Sequence, residues 1–408
     1  MSLLKNIEVA QHDWLLEQLR NPNIPWDWNG LSANINITWD IIQAFPDKDW
    51  CWLKLSLNPN ITCDIIEANI GKPWDRYGLS LNPNLTWNFI QAHPEISWLP
   101  MFLSRHKCIT WDIVQANPDN PWNWEGLSEN PNITWDIVKA HPEKSWHYGL
   151  LSNNKSITWE IVKENPDKPW NFSILSLNPN ITWDIIKANS DKPWDMTAIS
   201  ARSFVTIEIV KKYIHMDWNW ITLTRNKSIT MSIILANMKP IPHKWWNRWG
   251  WKTQIMPWYW ISLSENPNIT LKDVKASHAK PWCIYKLCFH PNFSMEDIIE
   301  CINICSNPAD KYTSKFNYYR SYSKNQNLTL STILSQPDMS WDWLDISKNP
   351  NVTKLPKSNI VQIIRRFTAV RKIQSAFLMA YYNPNYKICR NRLKREYNIM
   401  ADEFDHNA

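Results

Sequence analysis

The sequence predicts an all-α protein, an α-solenoid of about thirteen helix-turn-helix repeats with a degenerate N-terminal cap and a basic C-terminal helix. Three observations predict it. Threonine recurs at one fixed spacing, as Thr38, Thr62, Thr86, Thr110, Thr134, Thr158, Thr182, Thr206 and Thr230, and tryptophan keeps the same twenty-four-residue clock from Trp26 to Trp218. An Asn-Pro-Asn linker or a close variant interrupts most periods. Self-similarity at a fixed period of this length marks stacked supersecondary units.

The elements follow in chain order. Residues 1–25 read as the cap, in which Trp14 and Asn21-Pro22 fit the register in degenerate form, as a terminal unit should. The array spans 26–358, and one copy reads ITWDIIKANSDKPWDMTAIS from Ile181. Thr182 stands where an N-cap belongs, and Asp184 lies in the first turn, where the helix dipole favours a carboxylate. Ile181 and Ile186 have the spacing of a hydrophobic staple. The same trio recurs as Thr38, Asp40 and Ile37/Ile42, and as Thr134, Asp136 and Ile133/Val138. These residues predict a first helix of roughly two turns, here the T-helix. It is stopped at pairs such as Asn117-Pro118, His141-Pro142 and Asn165-Pro166, because proline lacks a donor and restricts the residue before it.

Asp-Lys-Pro-Trp is then expected to start a second helix, the W-helix, with proline in its first turn. That helix runs through Trp and Leu-Ser to the next Asn-Pro-Asn. Helices this short are marginal alone, so neighbouring copies must stack. Each laddered Trp then buries up to ~200 Å², a gross ~5 kcal/mol. At ~9–10 Å per layer, a stack of this many copies predicts an elongated body on the order of 120 Å long. The alternative is a leucine-rich-repeat-like coil, because Leu-Ser-x-Asn resembles its strand and Asn ladder. Proline after the Asn and the Thr-Trp-Asp capping signal favour helices.

The register slips twice, between Thr230 and Thr270 and between Ser294 and Thr329, which places insertions near 239–256 and 306–320. The first interleaves Lys244, Trp245, Trp246, Arg248, Trp249, Trp251 and Lys252 outside the repeat register. Such a surface can anchor a protein partner, stack bases over phosphates, sit at a membrane interface, or fold back over its neighbours. The second, Tyr312 to Tyr322, carries Lys311, Lys315 and Arg320 among tyrosines and invites the same readings. The tail, 359–408, is a basic amphipathic helical segment with Arg365, Arg366, Arg371 and Lys372 between apolar residues such as Ile360, Ile363, Phe367 and Phe377. It reads as a cap on the last repeat, a partner helix or a membrane-surface helix. Ile373-Gln374 begins like an IQ motif but lacks the Arg-Gly expected downstream.

Composition removes several enzyme classes. Six glycines, against 29 tryptophans, cannot assemble a phosphate loop, a dinucleotide fingerprint or a nucleophile elbow. Twenty-four of the tryptophans occupy three repeat positions, so their excess is mainly one packing rule copied along the chain. Asp40, Asp64, Asp112, Asp136 and Asp184 share one helix-start position, which dipole compensation explains better than catalysis. Cys283, Cys288, Cys301 and Cys305, near His278 and His290, offer zinc-type ligands in a C-x4-C-x12-C-x3-C spacing that lacks tight knuckles. They read as substitutions inside a repeat. No catalytic, metal or cofactor site is expected. Residues 1–351 carry 33 basic and 34 acidic side chains, whereas 352–408 carry 11 and 4. The tail therefore holds the surplus and is the place for nucleic acid to bind without sequence specificity. No apolar run suits a signal peptide or a membrane span, and irregular cysteines make no disulfide framework, so an intracellular protein is expected. The recurrent Asn-Ile-Thr is then repeat structure rather than a glycosylation acceptor.

A tandem unit of the form NPNITWDIIKANxDKPWDW resembles the Trp-rich repeat proteins encoded by large DNA viruses of amoebae, over about Asn21 to Ser358. Arg371-Lys372-Ile373-Gln374, followed by Asn383-Pro384-Asn385-Tyr386, resembles a tail found in proteins of those viruses. The resemblance implies a viral origin, in host cytoplasm, viral factory or virion, and a repeat architecture. The whole reading is a non-enzymatic scaffold that presents an extended surface to macromolecules, mainly proteins. The alternative is a virion- or genome-associated packaging protein that binds nucleic acid through the tail and the Trp-rich insertion.

Overall fold

The computed structural model describes residues 2–237, 258–305 and 315–382, with Asn391 and Arg395. The chain divides into two units, Trp26–Val352 and Met1–Pro25 with Thr353–Ala408. Among the described residues every regular element is helical, which removes the leucine-rich-repeat-like coil.

The larger unit alternates W-helices such as Trp28–Leu31, Trp52–Leu57 and Trp124–Glu129 with T-helices such as Trp39–Ala44, Cys63–Ala68 and Trp111–Ala116. Copies are numbered from Trp26, so that repeat 2 begins at Trp50 and repeat 4 at Trp98. T-helices start where the sequence predicts, with the Thr at the N-cap: the Thr182 hydroxyl accepts from the Ile185 N–H at 3.4 Å and Asp184 sits in the first turn, whereas Thr38 and Thr134 hold the N-cap position without a side-chain bond. W-helices start later than predicted. Their N-caps are the residues after the tryptophan, such as Asp75, whose carboxylate accepts from the Gly78 N–H at 2.8 Å. Proline stays in an extended lead-in, because an Asp or Asn one step past the Trp supplies the acceptor that a helix start needs. The lead-in also positions the tryptophan. The Trp50 indole N–H donates to the Phe45 carbonyl at 2.9 Å, closing the end of the preceding T-helix, and Trp122 and Trp170 repeat the bond to Asn117 and Asn165.

Two polar ladders join the copies. The buried Ser56 hydroxyl accepts from the Asp75 N–H of the next copy at 3.0 Å, and Ser32 does the same for Cys51. Both asparagines of Asn-Pro-Asn donate backwards: Asn178 to the Ser152 and Asn154 carbonyls, Asn180 to the Lys155 and Ile157 carbonyls. An Asn ladder thus exists, carried by loops between helices. Each buried amide meets carbonyls that the helix ends leave unpaired, which removes the desolvation penalty on both sides.

The array does not end in two free faces, as linear stacking would require. The first W-helix packs on the last, Trp343–Lys348, through the bonds that join every other pair. Asp27 donates its N–H to Ser347 Oγ at 2.9 Å, Asn34 donates to the Ser347 carbonyl at 2.8 Å and Asn36 to the Pro350 carbonyl at 2.7 Å. Trp343 meets Trp26 edge-on at 5.9 Å, as Trp28 meets Trp50 at 5.1 Å. A Cβ on Gly30 would lie 2.6 Å from the Leu344 carbonyl, so glycine permits this contact. Continuity holds across both stretches outside the described residues: Asn266 donates to Thr224 and Asn226, and Asn325 to Cys288 and His290. This unit is a closed ring of thirteen copies. Its W-helices approach one another most closely and so lie on the shorter circumference, with T-helices on the longer.

The second insertion is shorter than expected. Lys315–Tyr322 is the W-helix of repeat 12, with Tyr318 and Tyr322 buried and the Tyr322 hydroxyl donating to the Phe293 carbonyl. These tyrosines pack because the repeat register resumes at Asn317, so they are no aromatic binding patch. In the smaller unit, the N-terminal segment holds one long helix, Leu3–Arg20, capped by Ser2. Gln11 of that helix donates to the Thr353 carbonyl at 2.9 Å and accepts from the Leu355 N–H at 2.6 Å, which ties the first helix to the segment that follows the array. The C-terminal helix runs Lys357–Tyr382.

Candidate partner-binding surface

The two helix types expose different kinds of residue. On T-helices, the exposed second position in repeats 1 to 8 is Asp40, Asp64, Asn88, Asp112, Asp136, Glu160, Asp184 and Glu208. Each of these eight copies offers a carboxylate or its amide to the helix N-terminus, whereas Ser232, Lys272 and Ser331 stand there in later copies. On W-helices, the third residue past the tryptophan in the same copies is Asn29, Leu53, Tyr77, Met101, Glu125, Gly149, Ser173 and Thr197. Eight copies carry eight different residues there, and all but Gly149 are exposed. Later copies add Ile221, Ile261, Tyr285, Arg320 and Leu344. Ile261 is 51% exposed, which no folding requirement explains. Packing asks for the same residue in every copy; this row is free of that demand.

Charges beside the row compensate one another. Arg105 pairs with Glu129 at 2.7 Å, Arg225 and Lys286 both reach Glu265, and Lys324 reaches Asp345 at 3.4 Å. Each pair joins neighbouring copies. What the row offers a partner is therefore mainly apolar: Leu53, Tyr77, Met101, Ile221, Ile261 and Tyr285 project from successive or nearby helices. The sequence signal for this surface is copy-to-copy variation in a chain that otherwise repeats itself, and it lies in the W-helices rather than in the insertions or the tail.

Lys244, Trp245, Trp246, Arg248, Trp249, Trp251 and Lys252 lie outside the described residues. Arg365, Arg366, Arg371 and Lys372 are all exposed on the C-terminal helix, which has no acidic residue between Lys357 and Tyr382. Arg365 and Lys372, two turns apart, share one side of it. Val361, Ile364, Val370 and Ile373 are exposed on the same helix.

Titratable groups inside the array serve packing. His106 and His290 replace the first ladder asparagine and bond through Nε2 to the Asn82 and Asn266 carbonyls at 3.0 and 2.8 Å. Their Nδ1 atoms accept from the Cys108 and Asn292 N–H groups, so both rings are neutral Nε2–H tautomers. Burial lowers both pKa values, against the opposing effect of the carbonyl bond. Arg202 fills the same slot with guanidinium bonds to the Ser176, Asn178 and Ile181 carbonyls. Cys283, Cys288, Cys301 and Cys305 are buried; Cys288 occupies the serine slot, and burial pushes the Cys301 thiol up to about 12. Among the described residues no group of three His, Cys, Asp or Glu side chains is placed to hold a metal ion. No helix there is long and apolar enough to cross a membrane.

Comparison with protein-family models, with curated proteins and with solved structures finds no match.

Proposed function

We propose that this protein is a non-enzymatic repeat scaffold whose W-helix row binds macromolecular partners, mainly proteins. The observation that carries the reading is the contrast between an exposed row that differs in every one of its first eight copies and a packing frame that repeats. In a repeat protein, exposed positions released from packing are where partners are distinguished. The self-compensated charges beside the row favour an apolar polypeptide face over a polyphosphate. The resemblance to Trp-rich repeat proteins of amoeba viruses supports a viral role in the host cytoplasm, the viral factory or the virion.

The triple variant Leu53→Ser, Tyr77→Ser, Met101→Ser tests it by quantitative affinity capture from host-cell extract. Exposed side chains predict an unchanged fold by circular dichroism and a loss of at least tenfold in the captured set. A matched T-helix variant, Asp40→Asn, Asp64→Asn, Asp112→Asn, should leave capture intact. Equal capture by all three proteins refutes the reading. A second reading, nucleic-acid binding, is favoured by one observation: the C-terminal helix carries Arg365, Arg366, Arg371 and Lys372 with no acidic residue. It requires salt-dependent DNA binding that disappears when residues 359–408 are removed.

A further inference from the structure

The cavity at repeat 4 has a shape that the other copies explain. In most copies the second residue past the tryptophan is aromatic and packs edge-on against the tryptophan of the next copy. Trp52 meets Trp74 at 5.0 Å and 86°, Trp124 meets Trp146 at 5.2 Å and 89°, and Trp260 meets Trp282 at 5.3 Å and 82°. Tyr148 and Phe172 do the same with Trp170 and Trp194. A lysine two residues before the receiving tryptophan often closes over the ring: Lys48 on Trp28, Lys144 on Trp124 and Lys280 on Trp260, at 5.3 to 5.6 Å.

Repeat 4 places Pro100 in the aromatic position. Arg76, Met196 and Ile284, which stand there in three other copies, extend their side chains away from the backbone. Proline alone curls its side chain back onto its own nitrogen. A cavity of about 440 Å³ opens beside it, lined by Trp87, Leu103, Asn117, Asn120 and Trp122 among others. Three of these correspond by register to the surroundings of Trp28 in repeat 1. Phe45, Lys48 and Trp50 touch that indole, and three copies further on the same register positions hold Asn117, Asn120 and Trp122. The empty volume is the place an indole fills elsewhere. Asn120 in place of a lysine leaves the mouth without its cationic cover.

We propose that this cavity is a binding site for a tryptophan side chain of a partner polypeptide, seated edge-on against Trp122. The chain itself supplies the evidence for ligand class, because sister slots hold indole, phenol or phenyl rings in this geometry. A slot walled by Trp87, Leu103 and Trp122, with amides such as Asn117 and Asn120 at hand for an indole N–H, takes up an aromatic ring of matching size. A buried aromatic anchor is also the commonest centre of a protein interface. The site stands on the equivalence of copies and does not depend on the W-helix row being a partner surface. The capture experiment above can fail while this one succeeds, and the reverse.

Isothermal titration of the full chain with indole and with N-acetyl-tryptophanamide tests it. One saturable site per chain is expected for each probe, with dissociation constants on the order of 1 mM, as suits a single ring. Pro100→Trp should abolish both, because the chain then fills its own slot, and Pro100→Ala should retain them. Trp124→Ala empties the equivalent slot of repeat 5 and should raise the stoichiometry to two, a readout that stands even if Pro100→Trp unfolds. Absence of saturable binding by wild type, or binding unaffected by Pro100→Trp in a protein with wild-type circular dichroism, overturns the site. Binding of indole with exclusion of N-acetyl-tryptophanamide overturns the polypeptide ligand and leaves a pocket for free aromatics.

Discussion

T-helices and W-helices are built from the same period and bury comparable apolar residues, yet they differ in what they leave to vary. T-helices such as Trp111–Ala116 and Trp183–Ala188 repeat Thr, acid and Ile or Val almost unchanged, and they spread along the longer circumference. W-helices such as Trp124–Glu129 pack at backbone contact, and their outward position changes from copy to copy. Close packing constrains the inward half of a W-helix severely, and the outward half only through scattered contacts such as Tyr77 on Phe102 and Arg320 with Asp342. Structure and recognition are thus separated within one short helix.

The largest effect that would break this comparison is at Gly126. A Cβ there would lie 2.5 Å from the Met101 carbonyl and 3.0 Å from the Ser104 side chain, so Gly126→Val forces two W-helices apart. Overpacking of this kind costs about 3 kcal/mol. Gln115→Val, on the exposed face of the preceding T-helix, should cost about 0.5 kcal/mol through helix propensity alone. Chemical denaturation of the two variants gives the difference. Equal losses would mean that the close W-helix approach does not carry the array.

How much of this was legible in the sequence depends on the range of the interaction. T-helix starts were readable because Thr182 and Asp184 act on backbone groups within one turn of themselves. W-helices start later than Pro73 suggests, because Asp75 rather than the proline supplies the acceptor that caps the helix. Ring closure was not readable at all. It depends on a small curvature at each copy, accumulated until Asn34 finds Ser347, and no local residue reports that sum. Gly30 meets Leu344 at the far end of the array as Gly78 meets Leu53 and Gly126 meets Met101 in the copy before them, so in the sequence it looks like any other close contact between W-helices. The cavity at Pro100 was readable in principle as the copy that breaks the aromatic position, once the partner ring of that position is known.

A smaller effect sharpens the comparison at the point where W-helices hand over to the ladder. His106 and His290 are neutral, with pKa values lowered by burial below the unfolded value of about 6.5. A lowered pKa means that the unfolded chain takes up the proton first. Stability from these two copies is therefore complete above about pH 6.5 and is lost as the pH falls from there through the folded pKa. The His106→Asn, His290→Asn double variant restores the residue that most other copies use. Its unfolding midpoint should be less sensitive to acid between pH 7 and 5 than that of the wild type. An identical pH slope in both proteins would mean that these rings take up their protons at the same pH folded and unfolded, and burial would then not lower their pKa values.

The smallest difference lies in the caps. Thr182, Thr206 and Thr62 accept their N–H bonds at 3.4 to 3.5 Å, whereas Asp75 and Asn123 accept theirs at 2.8 and 2.6 Å. Distance and, for Asp75, full charge make the W-helix cap the stronger bond. Asp75→Ala should cost about 1.5 kcal/mol and Thr182→Ala about 0.5 kcal/mol, toward the two ends of the usual capping range. The order has a physical reason. A T-helix start is also held by its staple and by Asp184, while the W-helix Arg76–Ser80 has no acidic residue in its first turn and depends on the cap. Thermal unfolding of both variants measures the order. If Thr182→Ala proves the costlier, then first turns of T-helices, rather than the close W-helix contacts, set the register of the ring.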